Sequence, residues 1–141
     1  MTATKRKRAR KGKPARPMNL AAAHAAVLDG LPVVALDRLV SETGFTSAEI
    51  AAVADIPPTT LARRRREGRF SAEESERLIR LSFVIRDALD LFDRNAESAR
   101  AWLQRPRPVL GDVKPIDLAK TEFGAQMVRD LIGRLQHGVF S

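Results

Sequence analysis

From residue 20 onward apolar side chains recur at steps of three and four, the spacing of one helix face, while alternating β-branched runs and hairpin signals such as Asn-Gly are missing. The pattern predicts an all-α fold. Residues 20–28 give a short first helix ended by Gly30, and Val33, Leu36, Leu39 and Val40 form the stripe of a second, stopped by Gly44. Thr46 with Glu49, and again Ser71 with Glu74, have capping-box spacing, in which hydroxyl and carboxylate satisfy otherwise unpaired amides at a helix start. A third helix therefore begins near Ser47. Asp55 and the pair Pro57-Pro58 do not belong inside a helix, because proline lacks the amide and clashes with the turn before it, so a tight turn precedes a fourth helix over 58–67.

Beyond Ser71, Leu78, Leu81, Ile85, Ala88 and Phe92 repeat at helical steps, widened by Val84 and Leu91, which marks this long helix as the spine. Ala99, Trp102 and Leu103 make one more short amphipathic face. Residues 105–115 hold three prolines and a glycine and read as an ordered connector or crossover. After it Pro115 suits a helix start, and Val128, Leu131, Ile132 and Leu135 line a last helix that Gly138 can end. There is no internal repeat.

Charge is distributed unevenly. Of 25 Lys and Arg residues in 141, eight (Lys5, Arg6, Lys7, Arg8, Arg10, Lys11, Lys13 and Arg16) fall in residues 1–19 without one acid, and the rest of the chain balances its 17 acidic side chains. The net charge of +8 thus sits on a basic tail, expected to be disordered alone. It is either a solubilising leader or an arm that lies along a polyanion. A secretory signal is rejected, since His24 interrupts a weakly hydrophobic alanine run and Asp29-Gly30 follows; nor does any run approach the ~20 apolar residues of a membrane span. The expectation is a soluble, cytoplasmic protein. Cysteine is absent and His24 and His137 are the only histidines, so no disulfide scaffold, metal site, thiol nucleophile or cofactor is expected.

The strongest local signal is residues 49–66, two short helices broken by a turn. Ala51 lets them cross closely while Ile56 and Leu61 anchor the second on the first, the requirement of a helix-turn-helix. Thr59, Thr60 and Arg63 then occupy the exposed N-terminal face where base edges are read, and Arg64, Arg65, Arg66 and Arg69 suit phosphates or a second base. Asp55 stands where such a turn often has glycine, and aspartate tolerates turn conformations. The competing reading of 63–66 is a solvated face paired with Glu67, Glu73 and Glu74. Catalytic arrangements are not found: no triad spacing, no phosphate-cradling glycine loop, and Glu73-Glu74 explained by capping. His24 reads as surface or packing, His137 as a complement to the carbonyls of a last turn, and Trp102 as core.

Successive blocks then resemble a known family. Leu61-Ala-Arg-Arg-Arg-Arg-Glu-Gly68, Ala101-Trp-Leu103, Leu110-Gly111, Lys114-Pro-Ile-Asp-Leu118, Thr121-Glu-Phe-Gly-Ala125 and Arg134-Leu-Gln-His-Gly-Val-Phe-Ser141 look like the Xre/MbcA/ParS antitoxins, over roughly residues 20–141. The resemblance implies a type II antitoxin that binds its own operator DNA, acts as a homodimer within a hetero-oligomeric complex, and silences a RES-domain toxin that attacks NAD by degradation or ADP-ribosyl transfer. Three segments follow: a basic tail over 1–19, a helix-turn-helix lobe over 20–93 and a toxin-binding lobe over 94–141. Asp112, where a second glycine often follows Gly111, and the tail depart from the family pattern.

The expected toxin contacts are Trp102 and Leu131 on a wider surface, then Arg134, His137, Gly138, Val139, Phe140 and Ser141. Phe140 beside a free carboxylate either packs back on its own core or enters a partner's cleft, with Arg134 and His137 anchoring the approach. The other function class left open is a plain dimeric helix-turn-helix regulator without a toxin.

Overall fold

The computed structural model describes residues 19–138, which leaves the basic tail to residue 18 and Val139, Phe140 and Ser141 outside the described residues. Among the described residues eight α-helices follow one another: α1 Leu20–Asp29, α2 Val34–Thr43, α3 Ser47–Val53, α4 Pro58–Glu67, α5 Ala72–Leu91, α6 Ala96–Leu103, α7 Pro115–Leu118 and α8 Glu122–Gln136, with a 3-10 turn at Pro108–Leu110. The fold is all-α. Both capping boxes form, Thr46 with Glu49 and Ser71 with Glu74, and Gly44 ends α2 in the left-handed conformation that glycine adopts without penalty.

The spine is α5. Its Leu81, Val84, Ile85 and Ala88 are fully buried, and α1, α6 and α8 all pack on it. Burial of each larger side chain is worth about 1.5–3 kcal/mol, so this face supplies much of the stability. The parallel course of α5 and α8 is marked by two ion pairs of opposite polarity, each joining residues 42 apart: Arg80 to Glu122 at 3.3 Å and Arg129 to Asp87 at 2.7 Å. Parallel neighbours need a return path, and α6, the proline-rich connector and α7 provide it. Buried residues from Ala23 to Ile132 form one continuous core, so the segments on either side of residue 93 share their packing.

Three features depart from the periodicity. Expected as one last helix after Pro115, the chain instead forms α7 and α8 separated at 119–121, with Thr121 capping α8 through the Gly124 amide. A Cβ on Gly124 would collide with the Leu118 carbonyl, so the close α7–α8 approach requires glycine there. Leu61, expected to anchor α4, is only half-buried, and α4 has no buried residue at all. Finally, residues 30–33 and 68–70 clasp one another: Phe70 donates to the Leu31 carbonyl, Val33 to that of Gly68, and the Leu31 amide to Ser75 Oγ. This clasp closes the loop of helices α2–α4 onto the start of α5.

Candidate functional site

The turn between α3 and α4 is built by Asp55 at φ 59° and by the Ile56 amide, which donates to the Ala51 carbonyl at 2.8 Å. Aspartate does here what the expected glycine would do. Pro58 occupies the first position of α4, where its missing amide costs nothing and its fixed φ suits the helix. Between α3 and α4 lies an open apolar groove of about 430 Å³ lined by Ala51, Ala52, Ile56, Leu61 and Ala62.

α4 has no fully buried residue; the half-buried Leu61 packs on the core, and charge joins its later turns to α5. Arg64 Nε donates to Glu74 Oε1 at 2.8 Å and Nη2 to Glu74 Oε2 at 3.0 Å, while Nη1 reaches Glu67 at 3.0 Å. Burial resists ionisation of Glu74, but the Arg64 hydrogen bonds and the Ser71 amide outweigh it and hold the carboxyl below its ordinary range. The same bonds raise the pKa of Arg64. Its side chain is only 19% exposed, so Arg64, expected on the DNA-facing surface, joins α4 to α5. Arg69 is likewise engaged, donating to the Gly30 carbonyl at 2.5 Å within the clasp. Arg64 thus has its Nε, Nη1 and Nη2 engaged within the fold, whereas Arg69 makes one such bond and remains exposed.

The remaining expected DNA contacts sit at the surface. Thr59 is exposed and Thr60 half-buried; Arg63 is exposed with Glu67 at 4.0 Å, and Arg65 meets Asp37 of α2 at 3.3 Å. Arg66 is exposed and has no acidic partner among the described residues. Ion pairs at such exposure are worth about 0–1 kcal/mol, so they exchange readily for phosphate oxygens.

In the second half, Trp102 and Leu131 are each only 8% exposed. Trp102 packs its ring 6.5 Å from that of Phe92, with the Arg107 guanidinium 4.9 Å over its face. Both belong to the core beneath the surface on which toxin contacts are expected. Arg107 donates to the Trp102 carbonyl, and burial, then the charge of Arg105, pulls its pKa below the ordinary arginine value. Arg134, His137 and Gly138 are exposed at the end of α8, where the His137 amide closes the helix on the Gly133 carbonyl.

Sequence reasoning missed two residues of α8. Phe123 is 78% exposed, an unusual placement for an aromatic ring, and its position out of phase with Val128, Leu131 and Ile132 was the available signal. Gly133 lies inside the helix, where glycine costs about 1 kcal/mol relative to alanine, yet a Cβ there would meet nothing.

A helix-turn-helix carried on a shared core with a second helical lobe defines the class of protein. Residues 22–82 match the antitoxin Xre-like helix-turn-helix domain, and residues 87–138 the antitoxin Xre/MbcA/ParS C-terminal toxin-binding domain. Both matches end or begin within α5, the helix common to the two halves. The chain is 43% identical over 113 residues to an Antitoxin Xre from Yersinia enterocolitica serotype O:8, covering 79% of this chain and 76% of that one. It is 38% identical over 114 residues to an Antitoxin Xre from Photorhabdus laumondii, covering 80% and 77%. A shorter stretch, 79 residues spanning half of each chain, is 32% identical to a Prs ADP-ribosylating antitoxin from a Sphingobium species. The chain belongs to the Xre antitoxin family. No helix among the described residues is long and apolar enough to cross a membrane.

Proposed function

We propose that this antitoxin neutralises a RES-domain toxin that consumes NAD or transfers ADP-ribose from it, and that it represses its own operon by binding operator DNA as a homodimer. The observation that carries the reading is the presence on one chain of a helix-turn-helix domain and a toxin-binding domain packed on a common helix. The choice of toxin rests on the resemblance and on the name of the Sphingobium relative, which refers to ADP-ribosylation.

On the DNA side, Thr59, Thr60 and Arg63 face base edges, and Arg65 and Arg66 neutralise phosphates beside them. The basic charges of residues 1–19 add an attraction that reads no bases and falls with salt. On the toxin side, Arg134 and His137 anchor the approach to the active-site mouth, and Val139 and Phe140 enter an apolar pocket there.

The test is purification of the tagged chain with the product of the adjoining reading frame, followed by an NAD-consumption assay of the complex. Binding and silencing of an NAD-consuming partner is the expected result. Removal of residues 138–141 should restore NAD consumption while the complex persists. A chain that binds operator DNA but captures no toxin would leave a plain transcriptional regulator instead.

A further inference from the structure

The exposed face of α8 has a composition that the folded chain itself does not use. Phe123, Asp130, Arg134 and His137, with the half-buried Met127 between them packing on the core, follow at steps of four and three, so they share one side of the helix, with Gly133 at its edge. The opposite side, Val128, Leu131 and Ile132, is buried. Phe123 exposes 78% of its surface to water, and Arg134 and His137 have no acidic partner among the described residues. Gly133 weakens the helix without relieving any collision, since the place of its missing side chain is open space. A helix-interior glycine facing open space fits a surface against which another backbone must come close.

We propose that this face of α8 is the seat of the toxin, with Phe123 as an aromatic anchor in an apolar pocket and Gly133 the point where the partner's backbone lies against the helix. The proposal rests on the reading that the chain binds a toxin, and it locates the contact some four turns before the expected contacts at 138–141. Two observations select a toxin over a second copy of this chain. All of α8 lies within the span matched by the toxin-binding domain. The face carries a single acid, Asp130, beside the basic Arg134 and His137, so a second copy set face to face would bring fewer carboxylates than basic side chains. The matching surface is an apolar pocket flanked by carboxylates.

The experiment uses the full chain and its copurified toxin, with the affinity of Phe123→Ala and Gly133→Leu antitoxins measured by calorimetric titration. Truncation of a central aromatic anchor should weaken binding about thirtyfold or more. Gly133→Leu should weaken it at least about tenfold while raising the thermal midpoint of the free antitoxin by about 2–5 °C, since the added side chain favours the helix and meets nothing. That opposition of stability and affinity is not expected of a purely structural glycine. Leu28→Ala, at an exposed leucine of α1, is the control and should change neither. Affinities within about twofold of the parent for both variants would overturn the proposal while leaving toxin binding in place; failure of the parent chain to hold the toxin would overturn the reading beneath it. Should Phe123→Ala instead dissociate a dimer of the free chain with toxin affinity intact, the face belongs to a second copy and the proposal is wrong.

Discussion

Glu74 accepts both arms of the Arg64 guanidinium, at 2.8 and 3.0 Å, with the same carboxylate that accepts the Ser71 amide and starts α5. Two tasks therefore meet in one side chain. It caps the spine helix, and it fixes the angle at which α4 leaves the core. Because α4 buries no side chain fully, its orientation depends on this polar joint more than on apolar packing. Two-point, charge-assisted bonding of this kind supplies direction as well as energy.

Replacing Glu74 by Gln should accordingly lower stability by about 1–3 kcal/mol, the cost of losing charge-assisted bonds at a largely buried site. DNA affinity should fall with it, since the helix carrying Thr59 and Arg63 loses its fixed angle. Arg64→Lys should recover only part of what alanine loses, because an ammonium keeps the charge opposite Glu74 but not the planar fork that fixes direction. Arg66→Ala should behave oppositely, leaving the urea midpoint unchanged while weakening DNA binding and lowering its salt slope by about 0.9. A Glu74→Gln protein with an unchanged midpoint would show that α4 is held by something else.

The same pair predicts a response to acid. The folded-state pKa of Glu74 lies below the ordinary glutamate value of 4.5, so the folded chain binds the proton less readily than the unfolded one. Its contribution is complete above the unfolded value and is lost as pH falls below about 4.5 through the folded pKa. Stability measured from pH 6 down to about pH 3 should therefore fall in the parent chain more steeply than in Glu74→Gln. Parallel curves would mean that other carboxylates account for the acid sensitivity.

Helix by helix, the order of elements was legible because capping residues and glycine stops are local, and Thr46, Gly44, Ser71 and Pro58 act where they stand in the sequence. The fate of the arginines was not. Arg63, Arg64, Arg65 and Arg66 look alike in sequence, yet their environments diverge, since Arg64 alone points across to α5 and meets Glu74. Arg64 pairs with Glu67 and Glu74, while Arg63, Arg65 and Arg66 remain exposed. The α7–α8 break escaped notice because Thr121 lacks a glutamate three residues on; Gly124 is there instead, for a steric reason visible only once Leu118 is in place.

That steric reason is testable. Gly124→Ala should destabilise by about 1–3 kcal/mol, as the new methyl group presses on the Leu118 carbonyl and either α7 or the start of α8 must shift. Intrinsic helix propensity argues the other way, since alanine is the better helix former, so the sign of the change decides between packing and propensity. Thermal unfolding would measure it. An increase in the midpoint would show that α7 gives way at no cost.

Asp55 and Asp112 stand where glycine was the expected residue, and both have positive φ, 59° and 62°. A side chain in that region crowds its own carbonyl, a cost that aspartate bears better than most residues but still bears. Asp55 is exposed, so removing its side chain should sacrifice little. Asp55→Gly should therefore leave stability unchanged or raise it by up to about 1 kcal/mol, offset in part by the greater freedom of glycine in the unfolded chain. Asp55→Val should lower it by about 1–3 kcal/mol, because a branched Cβ fits that conformation worst. The same order, Gly at or above Asp and Asp above Val, should hold at position 112. Thermal midpoints of the four variants check the ranking, and a valine variant as stable as the parent would show that the α3–α4 turn does not need the left-handed conformation.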